Sequence, residues 1–137
     1  MGKILEDVKK SSIWIAKALK SSNYRTDFSP ESLLEIERFF NNNTQNGKPI
    51  LGGLLSKDLG NRIFAIGCYV GEVICKSLGG KWNGDDSDPQ AEINVTLKLP
   101  DSSIIWPVQR VMKRFKNGPE DSIVAYGSSL GLRINIK

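Results

Sequence analysis

The sequence predicts an α+β fold, with N-terminal helices packed on one face of a small antiparallel sheet and short helices at the C-terminal end. Three observations carry that expectation. Apolar residues recur at helical spacing through the first half of the chain, up to Leu78. After Trp82 the spacing changes to strict alternation over Ile93, Val95, Leu97 and Leu99. Beyond a turn at Pro100–Ser103, proline restarts helical spacing at Pro107. Helices first, strands next and short helices last is the order of an α+β domain rather than of alternating βαβ units.

The first helix is expected over residues 3–20, where Ile4, Leu5, Val8, Ile15, Ala18 and Leu19 form one stripe. Lys9, Lys10, Lys17 and Lys20 fill the other face, the last at the C-terminal end where the helix dipole favours cations. Trp14 falls off the stripe, at its edge. Ser29-Pro30-Glu31 starts the second helix, with Ser29 as cap, Pro30 supplying the required φ and Glu31 meeting the positive end of the dipole. Leu33, Ile36, Phe39 and Phe40 face inward, and the run Asn41–Gly47 ends the helix as a polar loop.

The third helix is expected from Ser56–Asp58 to Leu78 and should be central, because it is apolar around much of its circumference. Its Gly67 and Gly71 form a G-x-x-x-G pair, which in a soluble domain marks a neighbour lying close to the helix backbone. Glu72 and Lys76 stand four apart in the order that favours a surface pair. Gly79-Gly80 stops the helix. A polar, acidic loop follows from Asn83 to Pro89, then the alternating strand, a turn and a return strand Ile104-Ile105-Trp106. Pro107 opens a helix with Val108, Val111, Met112 and Phe115 inward, and Pro119-Glu120-Asp121 opens a last helical segment through Tyr126. The tail, residues 132–137, reads as a third strand.

Composition bounds function more firmly than any motif. At 137 residues the chain has the size of a single domain, residues 1–137, burying about two-thirds of its unfolded surface. No apolar run approaches the ~20 residues of a membrane span. The N-terminal segment lacks the pattern of a secretory signal or transit peptide, and Glu6 stands where a myristoylation motif needs Ser or Thr, so a cytoplasmic location is expected. Histidine is absent, which removes Ser-His and Cys-His nucleophile pairs and the commonest zinc ligand sets. Cys68 and Cys75 lie two helical turns apart, about 10 Å of rise, too far for a disulfide and consistent with reduced core thiols.

Asp85, Asp86 and Asp88 are the nearest approach to a metal site, but neither register of an EF-hand loop fits, so a solvated loop and no metal are expected. The glycine pairs lack a phosphate-loop pattern, and no cofactor is expected. Arg110, Lys113 and Arg114 share one face of the Pro107 helix; with a net charge of +4, that face is the candidate for phosphate contact. Trp82 and Trp106 flank the hairpin. Tryptophans there more often close a core, and an exposed one becomes the leading candidate for an interface hot spot.

The block Gly67-x-Tyr69-Val70-Gly71-Glu72-Val73-Ile74, with Gly79-Gly80-x-Trp82, Trp106-Pro107-x-x-x-Val111 and Lys113-Arg114-Phe115, resembles a family of small bacterial domains of unknown function. The resemblance spans residues 59–126. It implies a bacterial domain and no particular activity. Within it Glu72 is the one charged residue of the helical motif, so Tyr69 and Glu72 mark any polar site there. The expected class is a non-catalytic protein-binding module, in a specific version an immunity protein that neutralises a bacterial toxin domain by direct binding. Its interface would draw on Asp85, Asp86 and Asp88 against a basic partner, with Trp82, Arg110, Lys113 and Arg114 as further contacts. The alternatives are a nucleic-acid-associated protein using the Arg110 face and an enzyme using Glu72.

Overall fold

The computed structural model describes residues 2–135. The architecture is α+β, built from helices α1 (Lys3–Ser21), α2 (Ser32–Asn43), α3 (Leu59–Leu78), α4 (Ala91–Asn94), α5 (Pro107–Asn117) and α6 (Ile123–Leu130). The strands are β1 (Thr44–Gln45), β2 (Lys48–Pro49), β3 (Lys81–Asn83), β4 (Thr96–Lys98) and β5 (Ile104–Ile105). Two antiparallel sheets result, one pairing β1 with β2 and one in the order β3-β4-β5.

Helix α3 is the centre. Every residue from Ile63 to Gly71 is buried, so no solvent face remains along that stretch. Helix α1 lies along one side of it and α5 along another, while α6 packs on α2. The glycine pair is the seat of the α5 end. A Cβ on Gly67 would lie 2.6 Å from Cα of Val108, and one on Gly71 would lie 2.2 Å from the Trp82 ring. The spacing correctly marked a close neighbour. Both cysteines are free, Cys68 buried and Cys75 half-buried, and burial pushes the Cys68 thiol well above its ordinary pKa.

Several boundaries differ from expectation, each for a local reason. The polar run after α2 is not one loose loop. The helix continues through Asn43, which is buried and satisfied: its Nδ2 donates to the Phe39 carbonyl at 2.9 Å and its Oδ1 accepts from Leu54 N at 2.9 Å. Asn46 and Gly47 then take φ of 54° and 75°, the doubly positive pair that closes a tight hairpin.

The alternating strand begins late. Ala91–Asn94 forms a helical turn, entered through the Asp88 carboxylate, which accepts from Gln90 N at 2.8 Å and from Asn94 Nδ2 at 2.9 Å. From Val95 onward the alternation holds, with Val95, Leu97 and Leu99 buried. The third strand is Lys81–Asn83 rather than the tail. Positive φ at Gly79 and Gly80 turns the chain so that Trp82 runs back opposite Leu97. Residues 132–135 form no strand; Leu132 is buried, and Asn135 N donates to Glu31. Ile136 and Lys137 lie outside the described residues.

Candidate partner-binding surface

The three-stranded sheet is buried on one side only. Trp82, Leu97 and Ile105 form a cross-strand row turned to the core. Their neighbours point the other way, as the pleat requires. Lys81 lies opposite Lys98, which lies opposite Ile104, and all three are exposed. Trp106 stands two residues beyond Ile104, on the same side. Ile104 is 50% and Trp106 45% exposed. Large apolar side chains this open, adjacent on one sheet face, form an uncovered patch.

Helix α5 extends this surface. Ile104, Trp106, Gln109, Arg110, Lys113 and Tyr126 line a shallow cleft of about 180 Å³. The Arg110 guanidinium lies 4.7 Å from the Tyr126 ring centroid, a cation–π stack, and reaches Asp121 at 3.8 Å. Its Nε is buried and has no hydrogen-bond partner among the described residues. Burial raises the Tyr126 phenol pKa, so that group stays neutral near pH 7. Lys113 is exposed at the rim.

Arg114 does not belong to this surface, which corrects the basic face expected from spacing. It is 1% exposed, its Nε donates to Glu37 Oε1 at 2.8 Å, and another of its nitrogens donates to Asn41 Oδ1 at 2.9 Å. Glu37 also accepts from Ile123 N, tying α2 to the start of α6. Residues four apart on a helix are separated by roughly 40° of rotation. Here that separation places Arg110 at the surface and Arg114 in the core.

The acidic loop is likewise more occupied than a solvated loop would be. Asp86 accepts from Ile4 N at 2.9 Å and Lys3 N at 3.1 Å, capping α1 from 82 residues away in sequence. Asp85 accepts from Ser87 N and Oγ, which holds its carboxyl below its ordinary pKa. Asp88 leads into α4 through its bonds from Gln90 N and Asn94 Nδ2. All three carboxylates therefore serve local structure, and Asp86 is a fixed part of the fold.

Tyr69 and Glu72 do not converge on a polar site. Tyr69 is fully buried, its hydroxyl donating to Ser32 Oγ at 2.7 Å and accepting from Phe28 N at 3.0 Å. Glu72 accepts from Trp82 Nε1 at 3.0 Å, and Lys76 instead lies 5.4 Å from the Phe28 ring. The expected Glu72–Lys76 pair is absent among the described ion pairs. Trp82 is thus half-buried on the inner face of the sheet, clamped over Gly71, and offers little ring to a partner.

Among the described residues, no group of three or more Cys, Asp or Glu side chains is placed to hold a metal ion. None of their helices is long and apolar enough to cross a membrane. A second concavity of about 530 Å³ lies between α3, α4 and α5, with Ile63, Phe64, Val108 and Met112 among its walls. Its walls are largely apolar, with Asp58, Glu92 and Lys116 also lining it. Comparison with protein-family models, with curated proteins and with solved structures gave no match.

Sequence reasoning left Ile104, Lys81, Lys98 and Tyr126 out of the candidate surface. The signal for Lys98 and Ile104 was present in the alternation, since residues between buried strand positions face outward. Lys81 and Tyr126 carried none, because β3 is too short to alternate and Tyr126 reaches the cleft only through packing of α6.

Proposed function

We propose that the protein is a protein-binding module that engages its partner through the outer face of β3-β4-β5 and the adjoining side of α5. The observation that carries this reading is the adjacent exposure of Ile104 and Trp106 on a sheet face that no helix covers. Interface hot spots are rich in Trp, Tyr and Arg, sit in small desolvating niches and are ringed by polar groups. Trp106, Tyr126 and Arg110 around the 180 Å³ cleft match that composition. In its specific version the module is an immunity protein covering a bacterial toxin domain, a role that needs a surface and no chemistry of its own.

The nucleic-acid reading draws on Arg110, Lys113 and the two strand lysines. It is the weaker one. Single-stranded nucleic acid uses successive aromatic platforms, whereas on this surface Trp106 is the one open aromatic ring, the exposed Trp14 lying on α1, and Arg110 already covers Tyr126. Arg114 adds no charge to the surface.

The test is to place a photo-crosslinking amino acid at Gln109, which lines the cleft and leaves Trp106 in place, in the native cell, with Lys57 as an exposed control position. A partner captured from Gln109 and not from Lys57 is then purified. Trp106→Ala and Ile104→Asp should weaken binding to it by about thirtyfold or more, the scale of a hot spot, with unchanged melting midpoints. The absence of a position-specific adduct, or equal affinity of the variants, would refute this assignment.

A further inference from the structure

We propose that the partner surface is acidic: carboxylates around an apolar side chain that enters the cleft beside Trp106. This rests on the binding reading above and names the chemistry of the partner. The first observation is the Lys81–Lys98 pairing across β3 and β4. Like charges directly opposite on a sheet repel, and neither lysine has an ion pair among the described residues. A lysine on an edge strand can serve to blunt edge pairing. That accounts for Lys81, but Lys98 lies on the central strand, where no edge exists.

Helix α5 adds charge of the same sign. Lys113 also has no ion pair among the described residues, and Arg110 has only the long contact to Asp121 with its Nε unsatisfied. The remaining nearby carboxylate, Asp101 in the β4–β5 turn, accepts from Ser103 N and Oγ. Arg110 and Lys113 thus line the cleft, Lys98 lies directly opposite Ile104 and Lys81 one strand beyond, four cations against the two carboxylates Asp121 and Asp101.

That distribution selects among occupants. A second copy docked face to face by a two-fold axis would set these cations against their own images, so a homodimer through this face is disfavoured. A small-molecule ligand needs a pocket of roughly 300–1,000 Å³, and the cleft offers about 180 Å³. What fits is a protein segment whose apolar side chain fills the cleft and whose Asp or Glu residues reach Lys81, Lys98 and Lys113. Such complementarity speeds association and rejects partners of the wrong sign.

The test uses the full chain, isotopically labelled, titrated at low salt with three probes of equal length: an alternating Glu-Leu peptide, an alternating Lys-Leu peptide and oligo-dT. The Glu-Leu peptide should shift the Trp106 indole N–H and the amides of Lys98, Ile104 and Lys113, and the Lys-Leu peptide should not. The triple change Lys81→Glu, Lys98→Glu, Lys113→Glu should weaken the Glu-Leu peptide by about a hundredfold or more. A thermal melt of the triple variant confirms that it is folded, and single reversals replace it if it is not. Equal shifts with both peptides would show an apolar face without charge preference and overturn the acidic assignment while leaving the binding reading intact. The acidic assignment also falls if no peptide shifts these signals while crosslinking from Gln109 still captures a partner. Shifts with oligo-dT alone would assign the face to nucleic acid. Failure of the crosslink itself removes the binding reading.

Discussion

Gly71→Ala decides whether the central helix is packed as described, because the two possible outcomes have opposite signs. Alanine is the better helix residue, and replacing an interior glycine with room for a methyl group stabilises by about 0.5–1 kcal/mol. At Gly71 there is no room. The new Cβ would lie 2.2 and 2.4 Å from Cη2 and Cζ2 of Trp82 and 3.2 Å from Cγ of Pro107. Ordinary carbon–carbon contact is about 3.5–4.0 Å, so the ring must retreat by more than ~1 Å. Trp82 is held by its bond to Glu72 and by the pairing of β3 with β4, so retreat strains or breaks the 3.0 Å Nε1–Oε2 contact. Overpacking typically costs about 1–3 kcal/mol, and loss of a hydrogen bond to a charged acceptor about 1.5–3 kcal/mol. With both costs incurred and the propensity gain subtracted, the net loss should be about 1.5–5.5 kcal/mol. For a chain of this length each kcal/mol moves the midpoint by roughly 3–5 °C, so melting followed by circular dichroism should fall by several degrees or more. Gly60→Ala is the control: it lies in the same helix with nothing within 4 Å of its Cβ, and should hold or raise the midpoint. Trp82→Leu should rescue part of the Gly71→Ala loss, a coupling of about 0.5–3 kcal/mol for residues in contact. A raised midpoint for Gly71→Ala, or additive losses in the double variant, would refute the packing.

Arg114→Ala should cost about 3–5 kcal/mol in denaturant titration, because it leaves the largely buried Glu37 carboxylate without its cation, and the paired change Arg114→Met with Glu37→Gln should recover part of that, since the amide oxygen still accepts from Ile123 N; equal losses in the single and paired variants would contradict it. Asp86→Ala removes both hydrogen bonds to the start of α1 and should cost about 0.5–2 kcal/mol, while Asp85→Ala leaves the midpoint unchanged. Glu35 is held below its ordinary value of 4.5, first by the hydrogen bond from Arg38. A depressed folded pKa contributes stability above the unfolded value and loses it as pH falls through the folded one, so Glu35→Gln should flatten the acid limb of the stability curve below about pH 4.5; an identical limb would show that this carboxyl is unperturbed.

The helical frame was legible because its cause is periodic. The stripe of α1, the apolar girth of α3 and the Pro107 start all follow from burial of a fixed face, and burial writes itself into spacing. The glycine pair was legible for a related reason, since a missing Cβ in a helix signals a close neighbour. What could not be read were elements fixed by one or two contacts between distant parts of the chain. Asp86 as a cap for α1 depends on where loop and helix meet in space. Strand β3 is three residues long, too short to show a period. The hairpin at Asn46-Gly47 was legible in principle, because that dipeptide favours doubly positive φ, but it was masked by the polar run before it. Arg114 was misplaced because spacing assigns a face to a helix but not the width of the buried sector, and a charged residue enters the core when a carboxylate waits there.

These local details change the sign of the expected partner. Counted along the chain, the acidic loop and the basic helix offer two charged surfaces, and the loop favours a basic partner. In the folded chain Asp86 is committed to α1 and Asp88 to α4, while Asp85 closes its own turn. Their charge persists, yet they are held by local bonds and have no large apolar group beside them comparable to Trp106. On the other surface, withdrawal of Arg114 removes one cation, but pleating of the sheet brings up Lys81 and Lys98, which the sequence placed 17 residues apart. Charge alone seldom makes an interface, because an exposed ion pair contributes at most about 1 kcal/mol. An exposed aromatic beside an aliphatic residue supplies the desolvating centre that lets surrounding charges discriminate among partners. Among the described residues, the outer sheet face combines such a centre with cations that have no internal partner, and this combination supports an acidic partner at that face.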